Sequence, residues 1–223
     1  MSRRKPLSPE RSLARRGPTR EPRARFLILC EGRVTEPEYF RYVKEKLRDH
    51  LLVIEISKEH GDPLRLVEAA VERFRSAQRA ARKDRDDNLK YDEVWCVMDV
   101  DTHPQLPRAK ILAAQHGIHL AISNPCFEFW PLLHFVDKRA YISVQAVQKE
   151  LRHHMPRYEK LLDCSLLHQQ FQVARSRAVS VHAQHEREGK PKESNPSTNV
   201  WQLIDSLLEA KKRAAPREWS CPL

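Results

Sequence analysis

Nowhere in the 223 residues do about 18 apolar residues follow one another, which excludes a transmembrane helix. No apolar stretch follows the basic N-terminus within the first 20 residues, so a secretory signal is not expected. There is no Cys-x-x-Cys, and a structural zinc site therefore has no support. The cysteines are five, an odd number, and far apart (Cys30, Cys96, Cys126, Cys164, Cys221). They read as small core residues in a reducing, cytoplasmic compartment and not as a disulfide framework. Glycine is scarce at five residues, and no internal repeat is visible. Charge is what abounds: 31% of residues are charged, the net charge is +10, and the mean hydropathy is -0.67.

Most of that positive excess sits in one place. Residues 1–25 carry nine Arg or Lys against two acids, among many Pro and Ser. Such a segment cannot bury apolar surface, and residues 1–24 read as a disordered basic tail. Its role is either solubility or a non-specific hold on polyanions.

From residue 25 the pattern changes to apolar runs alternating with amphipathic stretches. Strands are expected at 25–30, 51–56, 93–98 and 118–122. Helices are expected from Thr35, as N-cap, to about 49; from Asp62-Pro63 to about 81; at 107–116; and from Asn124-Pro125 to Phe135. Continuous apolar strands between helices predict an α/β fold with a parallel sheet of about four strands, covered on both faces. Residues 141–213 read as a helical extension, with a break near Met155-Pro156 and a last amphipathic helix over 198–213 carrying Val200, Leu203, Ile204, Leu207 and Leu208. Residues 25–140 then form the α/β domain, and 214–223 a loose C-terminus.

In an open parallel sheet, ligands bind outside the carboxyl ends of the strands. The first strand ends at Glu31, the third at Asp99-Val100-Asp101, the fourth at Ser123-Asn124. Three carboxylates on one rim repel each other unless a cation compensates. A hard divalent ion does so with one or two carboxylates plus substrate phosphates, which points to Mg2+ or Mn2+. Gly32 removes a side chain beside Glu31, leaving room for a phosphate or metal.

Three motifs carry a resemblance: C-E-G-x-x-T-E-x-x-Y-F at 30–40, V-M-D-V-D at 97–101 and S-N-P-C-F-E-F-W-P-L-L-H-F at 123–135. Together with Asn195-Pro-Ser-Thr198 they resemble the RloB family, which is related to Toprim domains and is found beside bacterial type I restriction loci and among phage-defence genes. The resemblance implies a Toprim-like fold, Glu31 as general acid or base, and Asp99 and Asp101 as Mg2+ ligands. The chain lacks the tyrosine domain of a topoisomerase and the zinc-binding and polymerase regions of a primase. A metal-dependent nuclease of RNA, tRNA or DNA in anti-phage defence is the expectation that remains. The alternatives are a non-catalytic metal- and nucleic-acid-binding accessory protein that serves a partner ATPase or restriction-system protein, and a transferase acting on a small nucleotide. No membrane partner is expected.

Other residues carry two readings each. Glu128, amid apolar neighbours, either pairs with a base or is a further ligand that would allow two metals about 3.5–4 Å apart. Ser123 and Asn124 cap the next helix, with Pro125 at its first position, and the same N-terminus can receive a phosphate. His103 assists proton transfer, contacts phosphate or is a surface histidine. Arg33, Arg41, Lys44, Arg108, Arg175 and Arg177 hold a nucleic-acid backbone or are solvated charges. Glu36 reads as a favourable acid in a first helical turn, His134 as a core histidine, and His153, His154, His182 and His185 as surface residues.

Overall fold

A computed structural model describes residues 23–100, 104–167, 170–214 and 221–223. The described strands are β1 (Ala24–Cys30), β2 (Leu52–Ile56), β3 (Glu93–Asp99), β4 (His119–Asn124) and β5 (Ser197–Thr198), in the order β2-β1-β3-β4-β5. The first four are mutually parallel, in registers such as Cys30 with Val97 and Asp99 with Ser123. The two-residue β5 runs antiparallel and closes the edge beside β4, pairing Thr198 with Ser123. The α/β expectation holds, and the sheet has one more strand than expected. Ser197–Thr198 is too short for any alternating pattern to announce it.

The helices are α1 (Thr35–Lys46), α2 (Pro63–Asp84), α3 (Leu106–His116), a single turn α4 (Phe129–Leu132), α5 (Val144–His154), α6 (Phe171–Arg187) and α7 (Val200–Ala214). Successive β1 side chains alternate between two cores. Phe26, Ile28 and Cys30 pack with α1, α4, α5, α6 and α7, while Leu27 and Leu29 pack under α2 and α3. Covering both faces explains why the strands read as unbroken apolar runs. The segments beyond residue 141 therefore share one core with β1 and β3. The arrangement is consistent with a Toprim-like fold.

Local chemistry sets the helix ends. The Asp62 carboxylate accepts the Arg65 N–H at 3.2 Å, Pro63 follows, and Arg85 ends α2 in the left-handed region at φ 52. The apolar stripe of α7 is buried at all five expected positions. Thr35 differs: Val34 precedes α1, and the Thr35 hydroxyl donates instead to the Lys160 carbonyl at 2.9 Å.

The expected helix from Asn124-Pro125 does not form. That peptide is cis, Asn124 belongs to β4, and residues 126–135 wind mostly through i to i+3 bonds such as Trp130 N–H to Phe127 O at 2.9 Å. Pro131 in the middle offers no N–H, and in a regular helix its ring would crowd the Phe127 carbonyl, which favours tight winding instead. Phe127, Phe129, Trp130, Leu132 and Leu133 are buried on every side. This segment is an apolar plug, each large side chain contributing about 1.5–3 kcal/mol of burial.

Candidate functional site

The chain order places the switch point of the sheet between β1 and β3: the connection after β1 leads to one side, and that after β2 crosses to the other. Ligands of open α/β sheets sit at such a point, outside the carboxyl ends. Glu31 leaves β1 there. Its N–H still donates to Val97 O at 2.9 Å, and its Oε2 accepts the Asp99 N–H at 3.2 Å. The first and third strand ends are thus tied through one carboxylate.

Asp99 ends β3, with the next residue held by Val100 N–H to Ser123 O at 2.7 Å. The residue as a whole is half-buried, but its Oδ1 is fully enclosed and has no hydrogen-bond partner among the described residues. No other carboxylate oxygen among the described residues is in that state. Burial, then the charges of Glu36, Glu128 and Glu31, hold the Asp99 carboxyl well above the usual range, against a weaker pull from the Phe127 N–H.

Glu36 is the residue the sequence reading undervalued. It is only 6% exposed, and its Oε1 accepts the Gly32 N–H at 3.2 Å. Burial raises its carboxyl, with the charges of Glu128 and Glu31 adding to that, while N–H groups of Glu36 itself and Gly32 oppose it. A signal for it exists in the sequence: 36, 40, 43 and 47 share one helical face, and Phe40, Val43 and Leu47 are all core. Gly32 is explained by the same residue. A Cβ there would stand 2.7 Å from Glu36 Cδ and closer still to both oxygens. The space beside Glu31 expected for a phosphate is filled by this carboxylate.

Glu128, 4% exposed, lies just before α4. Its Oε1 accepts the Tyr158 hydroxyl at 2.5 Å and the Lys160 ammonium at 3.3 Å. Burial alone would raise its carboxyl, but the Tyr158 bond, nearby N–H and S–H groups and Lys160 outweigh that and lower it. Pairing with a base, one of its two readings, is what the geometry shows.

The remaining candidates distribute as follows. Asp101 and His103 lie outside the described residues. Ser123 is buried, its Oγ 2.9 Å from Thr198 Oγ1, and the Asn124 amide donates to Glu193 O at 2.7 Å. Neither heads a helix, so the expected phosphate site at a helix start after β4 is absent; the sheet edge takes both side chains. Arg33 is exposed next to the rim, whereas Arg41 pairs with Glu38. Lys44 and Arg108 are exposed on α1 and α3. Arg175 binds Asp205 and lies 5.1 Å over the Trp201 ring, and Arg177 donates to Leu133 O at 2.6 Å. These last two arginines brace α6 against its neighbours.

His134 is a core histidine, its Nδ1 3.1 Å from Trp130 O, and burial pushes its pKa down to about 4. His185, expected on the surface, is buried with Nε2 2.9 Å from Pro196 O. Cys30, Cys96, Cys126 and Cys164 are buried free thiols and Cys221 is exposed.

A family model, RloB-like protein, matches residues 26–207. The chain belongs to the RloB-like protein family. The matched span runs from β1 into α7 and so includes every acid of the rim. No curated protein and no solved structure matches this RloB-like chain.

The donor set at the rim is all carboxylate oxygen, which suits a hard cation such as Mg2+ or Mn2+ and not a soft one. Asp99 Oδ1 fits a cation as well: an enclosed carboxylate oxygen with no partner among the described residues lacks compensation. Among the described residues no three His, Cys, Asp or Glu side chains form a ready metal cage. Glu36 and Glu128 are each held by protein donors. Among the described residues no helix is long and apolar enough to cross a membrane.

Proposed function

We propose that this RloB-like protein is a metal-dependent nuclease that hydrolyses phosphodiester bonds of RNA or DNA in the cytoplasm, as part of defence against phage. The observation that carries the reading is the buried Asp99 Oδ1 at the β1/β3 switch point, which has no hydrogen-bond partner among the described residues and is surrounded by the charges of Glu36, Glu128 and Glu31. Such crowding is costly unless a cation compensates. The defence setting rests on the family resemblance.

In this reading Asp99 and Asp101 would hold Mg2+ or Mn2+, with Glu31 and Glu128 as the further carboxylates of the site. The ion, when bound, polarises the phosphoryl oxygens and steadies the leaving oxygen. Glu31 takes the proton of the water whose oxygen bonds to phosphorus as the bond to the leaving oxygen breaks. The Asp99 N–H bond orients the Glu31 carboxylate for that task. Glu36 sets the field around Asp99 and fixes the turn at Gly32 through its hydrogen bond.

The test is cleavage of RNA, tRNA and DNA in Mg2+ or Mn2+ and in chelator, with Glu31→Gln and Asp99→Asn. Each substitution is expected to lower the rate by at least about 100-fold, Glu31→Gln by loss of the acid–base group and Asp99→Asn by loss of a metal ligand. Cleavage that survives both would overturn the assignment.

A further inference from the structure

The chain between α5 and α6 crosses the acidic rim at Tyr158 and Lys160, and three observations single out Lys160. Its backbone sits at φ 81, a region that side-chain-bearing residues rarely adopt. Its carbonyl is pinned by the Thr35 hydroxyl at 2.9 Å, one residue before Glu36. Its ammonium lies 3.3 Å from Glu128 Oε1, yet its side chain is 62% exposed while that of Glu128 is 6% exposed. The carboxylate already has a shorter bond from Tyr158, at 2.5 Å, to the same oxygen. An exposed ammonium adds little to so well-held an acid. An uncommon backbone conformation persists where its surroundings over-determine it, and it points to function when the side chain it aims serves something other than packing.

Resting on the nuclease reading above, we propose that Lys160 is a substrate-binding residue whose ammonium turns from Glu128 to a non-bridging oxygen of the nucleic-acid phosphate entering the rim. Glu128 keeps the Tyr158 bond throughout, so no buried carboxylate is left without a donor. A lysine suits the task as a compact point charge on a flexible stem. The surrounding acids repel a phosphate, and a cation at the margin offsets part of that repulsion.

The test is binding of a labelled single-stranded oligonucleotide, DNA and RNA in turn, in millimolar Ca2+ across a salt series. Wild type is compared with Lys160→Gln, Lys160→Arg and, as a control for charge alone, Arg139→Gln at an exposed pair with Asp137. Loss of one phosphate contact makes the log–log salt slope shallower by about 0.7 for a single strand. Lys160→Gln is expected to show that change and an affinity about threefold to tenfold weaker at low salt, with Lys160→Arg close to wild type and the thermal midpoint unchanged. If wild type binds and Lys160→Gln keeps both slope and affinity, Lys160 serves only Glu128 and the proposal fails while the nuclease reading stands. If wild type binds neither strand, both fail together.

Discussion

Replacing Gly32 by alanine probes the rim at its tightest point. Gly32 has no left-handed φ, so alanine suits the backbone and would by itself gain about 0.4–1 kcal/mol through the unfolded chain. What opposes it is the Glu36 carboxylate, whose Cδ would lie 2.7 Å from the new Cβ. Glu36 is buried and cannot slide away without giving up the Gly32 N–H. A lost hydrogen bond to a charged group costs about 1.5–3 kcal/mol. Relief of crowding among the acids offsets part of this, since the Glu36 carboxyl is already raised. We expect Gly32→Ala to cost about 1–3 kcal/mol, a fall of about 2–12 °C in Tm for a chain of this size. In a Glu36→Ala background the clash has no partner, and the same change should be neutral or slightly stabilising. A double-mutant cycle read by urea or thermal unfolding then gives a coupling of at least about 1 kcal/mol. An equal cost in both backgrounds would refute the steric explanation of Gly32.

Further predictions follow from the same rim. Asp99 and Glu36 have raised carboxyls in the folded protein, so the folded state holds more protons than the unfolded one above the ordinary carboxylate pKa of about 4. Stability in chelator should therefore fall as pH rises from about 4 through the raised values, and Mg2+ should restore it more strongly at the higher pH. At about 100 times its Kd, Mg2+ would add about 2.7 kcal/mol, read as a Tm rise of about 5–11 °C; no pH-dependent rise would count against a cation at Asp99. Tyr158→Phe removes the 2.5 Å donor of Glu128 and should cost about 1.5–3 kcal/mol at neutral pH. Because that bond lowers the Glu128 carboxyl, its stabilisation is present above the unfolded pKa and is lost as pH falls through the lowered folded value, so the cost should shrink as pH drops below about 4; a pH-independent cost in unfolding experiments would refute this.

The strands were legible because burial on both faces leaves a run of apolar residues, as in Phe26 to Cys30. Asp62-Pro63 announced α2 because a cap and its proline act within four residues. Glu31 and Asp99 could be read as rim residues because strand ends and acids are both visible in one dimension. Thr35 misled because its hydroxyl can satisfy a helix start or a distant carbonyl, and the distant one won. The turn at Asn124-Pro125 misled for a similar reason: the proline that suits a first helical turn sits here after a cis peptide. Glu36 was readable from its helical face, but an acid in a first turn has so ready an electrostatic explanation that its inward position was discounted. Tyr158 and Lys160 left no local mark at all, because their partners Glu128 and Thr35 are 30 and 125 residues away.

That separation has a consequence for the order in which the protein is made. The acids of the rim emerge with residues 31–128, but the hydroxyl that holds Glu128 and the carbonyl that anchors Thr35 come only at 158–160, and the edge partner of Ser123 only at Thr198. Synthesis proceeds from the N-terminus. Until those later residues arrive, the nascent chain carries Glu128 without its Tyr158 donor and Thr35 without its Lys160 acceptor. A chain cut short before residue 158 inherits the same defect permanently, and an early stop leaves the cell with an unfinished rim.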